Sequence, residues 1–335
     1  MSGGLRVLKP GLHTTVQDLG RFGAQAFGVP VSGALDRDAL RLANALVGNP
    51  PGEAALEVLH AGPLLEVTAP SLRVALAAYG GEIIVESPMR HGLPSWRSAT
   101  LPRGTRLRVV ASRGAVCAYL AIGGGLDVPL VAGSRSTYVR GGFGGWHGRP
   151  LAAGDEIPAP RIAPREGPQR RLPAPPDAGG GPFRIVLGPQ DDHFTAEAIA
   201  TLCGSDYVVT HSADRMGLRL DGPPLRHRGG HDILSDGTAA GALQVPGNGR
   251  PVLLLADRQT TGGYPKIAAI CSADLPRAGR LRPGDRVRFV AIDVAAAQAE
   301  RRRQEAALAA IIGGLAPADA GGEAALLRRT RLVGG

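Results

Sequence analysis

Residues 64–87 read LLEVTAPSLRVALAAYGGEIIVES, and this stretch decides the class of the fold. Three apolar runs, LLEVTA, SLRVALAAY and EIIVES, are short and rich in Leu, Val and Ile, as strands are. Pro70 removes a backbone donor between the first two. Gly80 and Gly81 supply a tight turn between the second and third. The same pattern extends in both directions. LRVL, TRLRVVAS and AVCAYLAI lie in the first half of the chain, and FRIVLG, DYVVTHS, LRLDG, PVLLLAD and RVRFVAI in the second. With 49 Gly and 28 Pro in 335 residues, turn chemistry is dense throughout, which favours many short strands over long helices. The expected fold is mainly β, with a few short helices and antiparallel barrels rather than a parallel α/β sheet.

Three helices stand out. DRDALRLANALVGNP begins at Asp36, a good N-cap, and places Leu40, Ala43 and Val47 on one face before Gly48 and Pro50 stop it. HFTAEAIATLCG ends at Gly204. After Ile292 comes an Ala-, Arg- and Gln-rich run, AAAQAERRRQEAALAAII.

GRPLAAGDEI at 148–157 and GRLRPGDRVRFV at 279–290 each carry a Gly-Asp turn leading into a strand, a hint of two related domains. A Pro- and Arg-rich stretch separates them. The predicted organisation is a domain over 1–157, a linker over 158–182, a second domain over 183–292, and a helical, flexible tail over 293–335.

Charge and cysteine content narrow the function. There are 38 Lys+Arg against 29 Asp+Glu, a net charge of +9, but the basic residues are scattered and not interleaved with aromatics. That argues against a nucleic-acid partner. Only Lys9 and Lys266 are lysines. Cys117, Cys203 and Cys271 stand far apart in apolar runs, so neither a disulfide framework nor a zinc site is expected. No metal ligand set is readable: His227 and His231 flank Gly residues that break a helix. Without a signal-peptide pattern or a membrane-length apolar run, a cytoplasmic, non-membrane protein is expected.

The strongest site candidate is ADRQTTGGYPK, residues 256–266, directly after the apolar run PVLLL. Asp257, Arg258 and Lys266 are the expected catalytic groups. Gln259, Thr260 and Thr261 are expected hydrogen-bonding partners of a substrate, with Gly262 and Gly263 allowing close backbone approach. A lysine in an arginine-biased chain suggests a need for a compact charge. The irregular polar segment 11–36 (GLHTTVQDLGRFGAQAFGVPVSGALD) adds Asp18, Arg21 and Ser32, although Asp18 and Arg21 would also make a simple ion pair. GSRSTYVRGGFGG, residues 133–145, adds Ser134 and Arg135 but lacks the lysine of a phosphate loop. HSADRMG and GALQVPGNGRP add Arg215 and Gln244.

Taken in order, VQDLGR, GVPVSGALD, RLANALVGNP, GSRSTYVRGGFGG, ADRMG and QVPGNGRPVLLLADRQTTGGYPKIA resemble the biotin-dependent carboxyltransferase family over about Gly11 to Phe289. That family includes the carboxyltransferase region of urea carboxylase and the C subunit of bacterial 5-oxoprolinase. The resemblance implies tandem cyclophilin-like β-barrel domains. Ala213 and Leu218 depart from it, where the family often has Ser and Tyr.

Neither Lys9 nor Lys266 stands between methionines, so no covalent biotin is expected on this chain. The 5-oxoprolinase branch implies partner subunits B and A, 5-oxo-L-proline as substrate, and ATP with Mg²⁺ at the level of the complex. A biotin-dependent carboxyl transfer to a urea-like amide, or a regulatory subunit that binds a kinase inhibitor, are the alternatives.

Overall fold

The three runs of residues 64–87 are strands Leu64–Val67, Ser71–Ala77 and Glu82–Ser87 in the computed structural model, which describes residues 3–110, 114–161 and 167–318. These three do not pair with each other; the chain passes from one sheet to a second and back. The first and third lie in a six-stranded antiparallel sheet ordered Glu156–Pro158, Gly4–Lys9, Leu64–Val67, Arg106–Val110, Glu82–Ser87, His91–Pro94. The second lies in a five-stranded sheet ordered His13–Gln17, Ala55–Leu59, Cys117–Ile122, Ser71–Ala77, Ser98–Pro102. Leu56, Val58, Leu76 and Leu120 of one sheet pack on Leu5, Leu65, Val85 and Leu107 of the other.

The five-stranded sheet is covered on both faces. Side chains alternate along a strand, so Ala55, Glu57 and Leu59 project away from the sandwich, as do Cys117, Tyr119 and Ala121. Helix α1, Arg37–Val47, covers part of that second face with Leu40, Ala43 and Val47. The expected caps are in place. The Asp36 carboxylate accepts from the N–H groups of Asp38 and Ala39 at 3.1 and 2.9 Å, and Gly48 takes the left-handed conformation at φ +85°. Burial pushes the Asp36 carboxyl up to about 6, against the pull of Arg280 3.4 Å away.

The second half is one eight-stranded sheet ordered Arg286–Val287, Tyr207–Ala213, Gly217–Asp221, Val252–Leu254, Ala242–Gln244, Lys266–Ile270, Phe183–Leu187, Phe289–Ala291. Its two end strands are consecutive in the chain, so the sheet curls almost into a closed barrel. Helix α2, Ala196–Gly204, packs beside it, capped by the Thr195 hydroxyl. A one-turn helix α3, Leu275–Ala278, precedes the last turn. The barrel interior (Phe183, Ile185, Tyr207, Leu243, Phe289) and the helix-covered face of the first half form one continuous buried cluster.

The two Gly-Asp turns are alike in detail. Gly154 and Gly284 adopt φ of +90° and +92°, and their N–H groups donate to Val7 and Val209, both at 2.8 Å. Asp155 and Asp285 accept from the N–H groups of Ala152 and Arg282 at 2.7 and 2.8 Å. Arg149 clamps Asp155 through two bonds and holds its carboxyl down at about 2.

The Pro-rich stretch expected as a linker is tied down where it is described. Arg170–Arg171 pairs with Ala316–Pro317, and Leu172 is buried, its N–H donating to Trp96. Helix α4, Val294–Gly313, returns to the first half, where Arg41 binds Glu305 and Gln304 binds Asp38. The end of the expected flexible tail, residues 319–335, lies outside the described residues. No helix among the described residues is long and apolar enough to cross a membrane.

Candidate functional site

The Gly-rich segments of the first half spend their polar groups on each other. The Asp18 carboxylate accepts from the hydroxyls of Ser134 and Ser136 at 2.7 and 2.5 Å and from the N–H groups of Gly20 and Arg135 at 2.7 and 2.6 Å. Arg21 does not pair with Asp18 but is fully buried, donating to the Val131 and Ser136 carbonyls at 2.8 Å each. Its guanidinium lies 5.0 Å from the Phe143 ring centre. A Cβ on Gly144 would meet the Ser136 oxygen at 2.1 Å, so only glycine admits this approach. Ser32, at φ +53°, is buried and donates its N–H to Ala256 in the second half. Asp18, Arg21, Ser134 and Arg135 therefore form a loop clamp whose bonds run mostly within the loops, while Arg21 Nη1 is buried without a hydrogen-bond partner among the described residues.

A second knot joins the halves. Arg215 donates through Nε and Nη2 to both oxygens of Asp257, at 2.8 and 3.1 Å, and through Nη2 to the Gly33 carbonyl at 2.7 Å. Its Nη1 is bonded to Glu57, the charged residue that strand alternation directs out of the sandwich. Glu57 also accepts from the Leu35 N–H at 2.9 Å and the Tyr119 hydroxyl at 2.6 Å. Burial works against the charge on Arg215; Glu57 and Asp257 outweigh it and hold the guanidinium above its ordinary value. One cation is thus shared between two carboxylates, one from each half, all nearly buried.

Against this knot lies a cleft made of two adjoining cavities that share Arg140, Asp214 and Met216. The larger, about 580 Å³, is lined by Gln244, Gln259, Tyr264 and His211. The smaller, about 290 Å³, reaches His13, His60, Arg215 and Asp257. Gln259 Nε2 donates to Gln244 Oε1 at 2.8 Å, and Gln244 Nε2 makes only a long 3.4 Å bond to the Tyr264 carbonyl. Gln259 Oε1 has no donor among the described residues, so the amide pair offers one acceptor and one weakly engaged donor. Arg140 is exposed on a single 3₁₀ turn and has no carboxylate partner among the described residues. Burial, then Arg215, pushes the His13 imidazole below its usual range, and its Nε2 lacks a partner.

Residues 256–266, the strongest site candidate in the sequence, form a partition between two cavities. Asp257 turns to Arg215, Gln259 to the cleft, and Arg258 to the opposite side, where it is buried. Thr260 and Thr261 are engaged through the backbone: the Thr260 carbonyl accepts from Thr238 at 3.0 Å, and Thr261–Gly262 pairs with Asp236–Gly237. Lys266 is buried in its strand with Nζ 2.9 Å from Asp236, whose carboxyl that bond holds low. Among the described residues no group of three His, Cys, Asp or Glu side chains is placed to hold a metal ion.

Glu57, His13, His60 and Arg140 were not singled out by sequence reasoning. Glu57 carried a signal, a lone carboxylate inside the apolar run ALEVL. His13 and Arg140 lie within the motifs at 11–36 and 133–145, beside the residues that were chosen.

A family model for the carboxyltransferase domain, subdomains A and B, matches residues 27–291. The chain belongs to the carboxyltransferase-domain family. Among its members, the C subunit of 5-oxoprolinase from Escherichia coli strain K12 is 34% identical over 90% of this chain and 95% of that protein. The crystal structure of TTHA0988 is 38% identical, with a TM-score of 0.77, over 86% of this chain and 55% of that one. That of the K. lactis urea amidolyase is 29% identical, with a TM-score of 0.83, over 92% of this chain and 20% of that one. This carboxyltransferase-family chain thus spans about half of one solved relative and a fifth of the other.

Proposed function

We propose that this chain is the C-type subunit of an ATP-dependent 5-oxoprolinase, converting 5-oxo-L-proline to L-glutamate with partner subunits A and B. The observation that carries the reading is its 34% identity to the E. coli C subunit across nearly the whole of both chains. The cleft supports it chemically. A five-membered lactam presents one N–H, one carbonyl oxygen and one carboxylate. Gln259 Oε1 and Gln244 Nε2 suit the first two, and Arg140 suits the third. Lactam resonance makes the nitrogen a poor leaving group, so the amide oxygen must be activated. ATP and Mg²⁺ supply that activation at the level of the assembled complex. This chain's residues bind and orient the lactam, and His13, held neutral, provides a proton acceptor at the floor of the cleft. Asp257, Arg215 and Lys266 position the walls rather than touch the lactam.

The test is reconstitution with candidate A and B subunits, following glutamate and phosphate release from 5-oxo-L-proline and ATP. Turnover should require all three chains. Equal turnover without this chain would overturn the reading. The TM-score of 0.83 to the urea amidolyase favours a second reading, carboxyl transfer from a biotinylated partner to a urea-like amide. Bicarbonate-dependent carboxylation of such an amide, with no glutamate formed, would establish that one instead.

A further inference from the structure

On the far side of the 256–259 turn from the amide cleft lies a cavity of about 430 Å³ between α1, α4 and the turn. Two guanidinium groups, those of Arg37 and Arg258, face it with no ion-pair partner among the described residues. Arg258 is 6% exposed, and its only bonds among the described residues run to the Thr238 and Leu255 carbonyls, both long at 3.3 Å. Arg37 begins α1, lies 5.4 Å from the Phe22 ring centre, and has no ion-pair partner among the described residues. The other charges around the cavity balance each other. Glu305 binds Arg41 at 3.0 and 2.9 Å and also pairs with Arg301, while Asp38 accepts from Gln304 at 2.5 Å. Asp18, held by four neutral donors, lends some negative charge to Arg37, whereas no carboxylate offsets Arg258.

A buried cation without a partner is costly, and two that face one cavity repel. Burial first, and Arg37 second, pull Arg258 below its ordinary value, which reports that cost. Such an arrangement becomes favourable when a ligand brings the missing negative charge. Paired guanidinium groups suit the oxygens of a tetrahedral dianion better than a single carboxylate. Leu35, Leu255 and Pro276 give the cavity an apolar side.

We propose that this cavity is an anion site separate from the amide cleft, which takes a phosphate dianion, free or carried on a small organic molecule, between Arg37 and Arg258. It requires no particular reaction in the cleft.

The experiment is thermal unfolding of the full chain against inorganic phosphate and against phenyl phosphate, at constant ionic strength with chloride as the balancing anion. Phosphate should raise Tm saturably in the wild type. Arg37→Gln and Arg258→Gln should each weaken that response at least tenfold, while Arg140→Ala, in the cleft, should leave it intact. Tighter binding of phenyl phosphate would assign the site to an organic phosphate, and equal or weaker binding to the free ion. Without phosphate, Arg37→Gln should be at least as stable as the wild type, because it removes a repulsion. The proposal is overturned if phosphate acts equally on wild type and an Arg37→Gln/Arg258→Gln double variant, if no saturable response exists, or if Arg37→Gln is destabilised without phosphate.

Discussion

The loop clamp around Asp18 and the turn at 256–266 look alike in the sequence, since both are Gly-rich, polar and irregular. They use their polar groups in opposite ways. In the clamp the Asp18 carboxylate accepts from four loop donors, and Arg21 donates to two loop carbonyls with its Nη1 left unpartnered among the described residues. Along the turn, Asp257 is saturated by Arg215, but its neighbours keep polar atoms that face open cavities. A run of polar residues therefore signals a demand for hydrogen bonds, and only the partners decide whether a loop or a ligand meets it.

The comparison can be broken most forcefully at Arg215. Replacing it with Met leaves Glu57 and Asp257 buried and facing each other, at a cost of about 3–5 kcal/mol. Chemical denaturation should show this together with weaker coupling between the halves. A cost below about 1 kcal/mol would mean that water fills the gap readily and that the seam is not a keystone.

At the clamp, Asp18→Ala strips an acceptor from two hydroxyls and two N–H groups, and stability should fall by about 2–3 kcal/mol. Asp18→Asn should recover part of that loss. If reconstituted turnover fell in Asp18→Asn with stability intact, the clamp would have to be counted as a ligand site after all.

Gln244→Met should behave differently. It should lower stability by no more than about 1 kcal/mol, yet cut reconstituted turnover about tenfold through the lost amide pair. Proportionate losses in both would move Gln244 into the clamp's category. Arg140→Ala should have the smallest structural effect, within about 0.5 kcal/mol by Tm, because the side chain is exposed. Its signature is a KM for 5-oxo-L-proline raised about tenfold or more, as expected for a charged hydrogen bond. An unchanged KM would remove Arg140 from the cleft's chemistry.

Local chemistry made much of the fold legible. Asp36, Gly48 and Pro50 bounded α1 because capping is a short-range matter, and the Gly-Asp turns recurred because each bonds to its own neighbours. The pairing of strands was not legible, since Leu64–Val67 and Ser71–Ala77 sit in different sheets despite being adjacent. The site was read in outline. Gln244 and Gln259 line the cleft together, but Arg258 points away from Gln259 because neighbouring residues in an extended turn project to opposite sides. The ion pairs that occupy Arg215 come from residues 42 and 158 positions away, which no local pattern reveals.

Residues 286–291 supply both outer strands of the eight-stranded sheet, one of two residues and one of three. The outer strands of the second half therefore offer a neighbouring chain only two and three residues of backbone. Association by strand addition, productive or fibrous, needs a longer free rim than this. In the first half the outer carbonyls of Thr14 and Val16 in His13–Gln17 are taken by the Leu151 and Thr137 N–H groups, whereas longer rims remain at His91–Pro94 and Ser98–Pro102. A partner that docks by extending a sheet must do so there, and one that meets the second half must recognise side chains and loops.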